Sequence, residues 1–159
     1  MRKILLIILV LGLVFVGLGS LNKQHFVCPI EYKSDILVRK DNRGDGFFAA
    51  SRSGRRLHNG IDLLADIGIP VLAAKSGKVV SATQNRGMGK HVIIRHRDNI
   101  ITIYGHLSEI SVRKNDFVRR GQVIGRVGKT GNARHYGIMP HLHFEIRKDG
   151  VPQDPLEYI

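Results

Sequence analysis

The 159 residues predict an all-β domain, a compact antiparallel sheet of barrel- or sandwich-like form, preceded by one hydrophobic helix at the N-terminus. Three observations predict it. Short runs of apolar and β-branched residues recur after residue 36, bounded by Gly, Asn, Asp or Ser. No stretch after residue 22 repeats its apolar residues at the 3.6-residue helical period. The chain holds 18 glycines, mostly at the ends of these runs, which suits tight turns between short strands. The length is that of one domain and suffices to bury a core.

In chain order, Met1-Arg2-Lys3 is a short basic start, and residues 4–21 carry no charge over 18 positions. A signal peptide has this form, with Gly17 and Gly19 at the spacing of a cleavage site. An uncleaved anchor is equally allowed, because ~20 apolar residues span a bilayer with the basic end inside. Residues 1–22 are therefore expected to be a signal peptide or signal anchor, residues 23–35 a linker, and residues 36–159 the folded domain. Export is expected to place the domain in the periplasm, the cell envelope or the extracellular space, with residues 4–21 as its membrane anchor if they are not cleaved. Phe26-Val27 before Cys28 is a poor match to a lipid-attachment signal. Residues 23–45 are a candidate cover for a groove, with Asp41-Asn42-Arg43 able to supply a blocking ligand.

Residues 70–74 and 77–82 are apolar stretches around a Ser-Gly turn. Residues 91–96 and 100–104 flank Asp98-Asn99 and read as a hairpin. Residues 117–118, 122–125 and 126–128 are shorter strands, and residues 141–147 alternate most cleanly. Residues 69–80 and 116–125 echo one another weakly, as strand-turn-strand units do in biotinyl and lipoyl carrier domains. No lysine-bearing turn motif for such a cofactor stands out, so the echo is architectural.

Lys and Arg number 25 against 13 Asp and Glu, giving +12; without Arg2 and Lys3 the charge is still +10. Such an excess draws the protein to polyanions, here an anionic cell wall or membrane surface. A nucleic-acid partner is not expected: only Phe47-Phe48 lies in a basic neighbourhood, and export argues against it. The single cysteine, Cys28, excludes an internal disulfide, so a metal site has to use histidine and carboxylates.

In His141-Leu142-His143, strand alternation turns both imidazoles to one face, their Cβ atoms roughly 7 Å apart. One can bind a metal while the other faces its open side. In His58-Asn59-Gly60-Ile61-Asp62, a tight turn at Gly60 lets two good zinc ligands converge. In Tyr104-Gly105-His106-Leu107, the histidine ends a strand, where sites are built. Together these supply a mixed nitrogen and oxygen set. Catalytic zinc takes three protein ligands and an open position, and two histidines remain for proton transfer and charge stabilisation.

Residues 54–62 (Gly-Arg-Arg-Leu-His-Asn-Gly-Ile-Asp), Tyr104-Gly105-His106-Leu107 and Pro140-His141-Leu142-His143-Phe144-Glu145 resemble the lysostaphin/LytM-type peptidoglycan endopeptidases, over roughly residues 36–159. The resemblance implies one zinc ion held by His58, Asp62 and His143, with His106 and His141 as catalytic histidines. It also implies a compact antiparallel β domain with the site in a groove, hydrolysis of stem peptides or cross-bridges of peptidoglycan, and a monomer. The alternative is a catalytically silent wall-binding or activator module on the same fold. Residues 36–39 with Asp41, Gly44, Gly46, Phe48, Ala50 and Arg52 are similar to the animal leukocyte chemotaxin branch, which keeps the zinc site without the full catalytic pair. This chain departs from that branch by keeping both His106 and His141. It has no tyrosine between Gly44 and Leu57, where some relatives carry one that supports the transition state. Of the other histidines, His96 reads as structural, and His25, His91 and His135 as surface residues, His135 in a loop that could line the groove.

Overall fold

The computed structural model describes residues 26–159 except Ser53 and Arg55. The expected leader, the N-terminal hydrophobic helix and His25 lie outside the described residues. Among those described, no helix is long and apolar enough to cross a membrane.

Among the described residues the strands are β1 (Lys40–Asp41), β2 (Gly44–Asp45), β3 (Ile61–Leu64), β4 (Pro70–Leu72), β5 (Gly77–Asn85), β6 (Gly89–Arg95), β7 (Ile100–Leu107), β8 (Glu109–Ile110), β9 (Phe117–Val118), β10 (Val123–Arg126), β11 (His141–Lys148) and β12 (Val151–Gln153). Two 3-10 turns, Gly131–Arg134 and Pro155–Glu157, complete the set. The fold is all-β as expected. The main sheet runs β12-β11-β7-β6-β5-β9, with β3 also paired to β11; a smaller sheet runs β4-β10-β8.

The β6–β7 hairpin forms as the sequence predicts. Asp98 and Asn99 hold φ of 58° and 54°, the paired positive values of a type I′ turn, and the Ile100 N–H donates to the Arg97 carbonyl at 3.3 Å. The stretches 70–74 and 77–82 part company instead: β4 joins β10, and β5 joins β6 and β9. Fully buried Ala73 and Ala74 carry the chain between the sheets, their N–H groups donating to the Gln122 carbonyl and the Tyr104 hydroxyl.

The expected linker is corrected for residues 26–32. Phe26 and Ile30 are buried in the core, the Val27 N–H donates to the Ala74 carbonyl, and the Tyr32 hydroxyl donates to the Leu64 carbonyl. Burying a Phe or Ile side chain contributes about 1.5–3 kcal/mol, which ties this segment down. Cys28 packs against the same core, and burial pushes its thiol pKa up.

Strand β11 organises the centre. It pairs with β3, β7 and β12. Leu142, Phe144 and Ile146 are fully buried on its core face. Alternation therefore puts His141, His143 and Glu145 on the opposite face. Beneath the hairpin runs a buried polar chain: the Ala74 N–H to the Tyr104 hydroxyl at 2.9 Å, Tyr104 to Thr102 at 3.0 Å, Thr102 to His96 Nε2 at 2.8 Å, and His96 Nδ1 to the Ser76 carbonyl at 3.0 Å. His96 is structural, as the sequence suggested. Burial pushes its pKa down and the Tyr104 pKa up to about 12.

Candidate active site

Asp62 lies on β3 directly opposite His143 on β11. His58 enters just before β3, and Gly60 decides how closely. The expected tight turn at Gly60 is not the reason for the glycine, because its φ is not among the positive ones. A Cβ there would sit 2.2 Å from the Phe144 carbonyl oxygen and 2.9 Å from Glu145 Cγ. The glycine lets the two backbones touch, which brings His58 to His143.

His58 Nε2 is 3.1 Å from His143 Nδ1 and 3.1 Å from Asp62 Oδ1, and His143 Nδ1 is 2.9 Å from Asp62 Oδ1. Ligands on a tetrahedral zinc with bonds of about 2.0–2.1 Å are roughly 3.3 Å apart, so the triangle is of the right size. The donor chemistry fits as well. The Phe47 carbonyl, 2.8 Å away, takes the proton of His58 Nδ1 and leaves Nε2 as a lone pair. Glu145 Oε1, 2.9 Å away, takes the proton of His143 Nε2. His58 Nε2, His143 Nδ1 and Asp62 Oδ1 thus converge on one point, where the two nitrogens hydrogen-bond the carboxylate and a metal ion would take the place of their protons. Among the described residues these three form the group of His and carboxylate side chains that could hold a metal ion.

Each ligand is braced from behind. Asp62 Oδ2 accepts from Arg39 Nη2 at 3.0 Å and from Arg52 Nη2 at 2.9 Å, leaving Oδ1 for the cluster. Glu145 Oε2 accepts from Arg147 Nε at 2.7 Å. Burial works against an ionised Asp62, but the hydrogen bonds from His143 and His58 outweigh it and hold its carboxyl well below the usual carboxylate range. Burial likewise opposes a charged His143, and its bonds to Asp62 and Glu145 outweigh that, raising it to about 9.

His106 and His141 face the cluster from one side, their rings 5.0 Å apart, and His106 is 5.8 Å from the His143 ring. His106 sits in a bulge: between the pairs Lys90–Leu107 and Val92–Tyr104, β7 has Gly105 and His106 against His91 alone. Its φ is 63°, a conformation that costs a non-glycine residue about 1–3 kcal/mol and that re-aims the side chain toward β11. The Thr130 carbonyl takes His106 Nδ1–H at 2.9 Å, and the Met139 carbonyl takes His141 Nδ1–H at 2.7 Å. Both rings therefore turn a bare Nε2 toward the cavity. Burial, with His141 and His143 close by, pushes the His106 pKa down to about 3; burial also lowers His141. Both are neutral near pH 7.

The site opens into a cavity of about 510 Å³. The five residues named from the sequence all line it, and so does His135. His91 does not, and it is not a surface residue: it is 5% exposed with Nδ1 bonded to the Gly89 carbonyl. Asp41 does not block the ligands. Its carboxylate is taken by Arg39 and by the Arg43 and Met139 N–H groups. Sequence reasoning missed three bracing residues. Glu145 was legible, as it continues the alternation of His141 and His143. Arg39 and Arg52 carry no local signal, because they reach Asp62 across 23 and 10 residues.

The profile of peptidase family M23 matches residues 56–155. The NlpD/LppB lipoprotein homologue of Pseudomonas aeruginosa is 44% identical over 115 residues, covering 72% of this chain and 36% of that protein. The peptidoglycan DD-endopeptidase ShyC of Vibrio cholerae is 37% identical over 100 residues, 63% of this chain and 22% of its own length. The chain thus spans about a third or less of these relatives. Among solved structures, the SpoIIQ–SpoIIIAH pore-forming complex matches with a TM-score of 0.70 at 31% identity, covering 86% of this chain and 92% of the matched one. The catalytic domain of lysostaphin from Staphylococcus simulans matches at 0.59 and 35% identity, covering 74% and 89%.

Proposed function

This chain belongs to peptidase family M23, and from that premise we propose that it is a zinc-dependent endopeptidase that hydrolyses peptide bonds in the stem peptides or cross-bridges of peptidoglycan. The observation that carries the reading is the pair His106 and His141, both neutral and both presenting Nε2 beside the complete His58, Asp62 and His143 cluster.

His58 Nε2, His143 Nδ1 and Asp62 Oδ1 would hold the zinc. A zinc ion bound there supplies a water of lowered pKa and polarises a carbonyl. One of the two free imidazoles accepts the proton released as water adds to the peptide carbon, and returns it to the departing amine. The other stands where charge develops on the carbonyl oxygen. With no tyrosine between Gly44 and Leu57, the histidine pair has to supply this support. The expected export signal brings the domain to the wall, and the net charge of +10 that remains without Arg2 and Lys3 holds it on anionic polymer there.

A second reading is a module that assembles with a protein partner. The likeness to SpoIIQ, solved in complex with SpoIIIAH, favours it. The two readings separate on one experiment. Zinc-loaded protein is incubated with purified sacculi of several cross-link types, and new amine ends are identified by mass spectrometry. New ends are expected, reduced about 10²–10⁴-fold by His106→Ala or His141→Ala. The absence of new ends with every sacculus type, or a full rate in His106→Ala with zinc bound, overturns the hydrolase.

A further inference from the structure

Part of the cavity lining is strongly basic, with Arg39, Arg43, Arg52 and Arg56. The lining residues from the β5–β6 turn and from the segment between β10 and β11, Gly87, Met88, Asn132 and Ala133 among them, include no Asp, Glu, Lys or Arg. The charges of the basic part do not all cancel. Arg39 pairs with Asp41 at 2.6 Å and with Asp62 at 3.0 Å, and Arg52 pairs with Asp62 at 2.9 Å. Two carboxylates thus balance two guanidinium groups. Arg43 and Arg56 are left. Both are exposed, both line the cavity, and among the described residues neither forms an ion pair. Arg43 is held in place by its Nε–H donating to the Tyr136 carbonyl at 3.2 Å, and among the described residues its terminal nitrogens have no hydrogen-bond partner. A planar guanidinium with free donors suits a carboxylate, which it can engage through two parallel bonds.

We infer that Arg43 and Arg56 form a subsite for a free carboxylate of the peptide substrate, lying on one side of the cleaved bond, so that the protein selects acidic over amidated peptides. This rests on the peptide-hydrolase reading for its substrate, but not for its test. The carboxylate could be the peptide's α-carboxyl terminus or a side-chain carboxyl, and both offer the same recognition.

The probes are cross-linked stem-peptide dimers in four forms: all carboxylates free, the C-terminal ones amidated, the side-chain ones amidated, and both amidated. Binding to the zinc-loaded full-length protein is measured by calorimetry, and hydrolysis by chromatography. The free acid is expected to bind about 10- to 100-fold more tightly than the fully amidated dimer, by the strength of charged hydrogen bonds. The singly amidated dimers identify which carboxylate is read. The ratio falls toward one in Arg43→Gln/Arg56→Gln, is partly kept in the double Lys variant, and is unchanged in Arg113→Gln, which lies outside the cavity. It also shrinks as salt rises. Equal binding of all four forms by the wild type overturns the subsite, as does a ratio that survives the double Gln variant while its unfolding midpoint is unchanged. If the acid is preferred in binding and no form is cleaved, the subsite stands and the hydrolase reading falls.

Discussion

Replacing Gly60 by Ala tests the central claim that backbone contact between β3 and β11 builds the metal cluster. The added Cβ would lie 2.2 Å from the Phe144 carbonyl oxygen, where an unstrained carbon–oxygen contact needs about 3.3 Å. The obstacle is backbone, so the strands have to separate by about 1 Å. Overpacking of this kind costs about 1–3 kcal/mol, and one loosened ladder hydrogen bond adds about 1 kcal/mol. The expected loss is about 2–4 kcal/mol. In a domain of this size that lowers the thermal midpoint by roughly 5–15 °C. The same separation moves Asp62 away from its cross-strand partner His143. A 1 Å displacement costs about 10²-fold in rate. Calorimetry gives the first number and chelator competition reports the zinc affinity, which should fall with it. Gly87→Ala is the stability control, because its methyl would meet nothing nearer than 3.7 Å. A Gly60→Ala protein within 0.5 kcal/mol of wild type by about the ordinary surface-substitution range, with zinc affinity unchanged, would refute the argument.

Other outcomes follow from the same contacts. Glu145→Gln, which removes the carboxylate behind His143, should weaken zinc binding about 10–100-fold in a chelator competition. Tyr104→Phe strips the buried Ala74 N–H of its acceptor and should cost about 1–3 kcal/mol in urea unfolding, with little change in zinc affinity. His96 has a folded pKa below its ordinary 6.5, so the unfolded chain binds the extra proton. Its contribution is therefore complete above about pH 6.5 and lost as the pH falls toward the folded value. Urea midpoints from pH 7.5 down to pH 5 should fall less steeply in His96→Gln than in wild type.

What was readable in the sequence follows the range of the interactions. The β6–β7 hairpin depends on two adjacent residues, Asp98 and Asn99, and the shared face of His141 and His143 on a period of two. Both are local, and both were visible. The split of residues 70–74 from 77–82 depends on where Ala73 and Ala74 find partners, which no window of sequence contains. The reason for Gly60 was misread on the same ground, since its constraint is the Phe144 carbonyl, 84 positions later. The packing of Phe26 and the burial of His91 belong with these. The cluster itself was named only because three separate motifs could be weighed together against a family resemblance.

Strand β11 writes two instructions into one segment. Its odd positions carry His141, His143 and Glu145, and its even positions Leu142, Phe144 and Ile146 fill the core. A slip of one residue would exchange the two sets. His58 and His143 also meet across 85 positions of chain. Half-folded protein therefore has no complete cluster, because His58 and Asp62 are local to one another but His143 is not. Under the hydrolase reading proposed above, this amounts to a built-in safety catch, because the blade exists only once the handle is assembled.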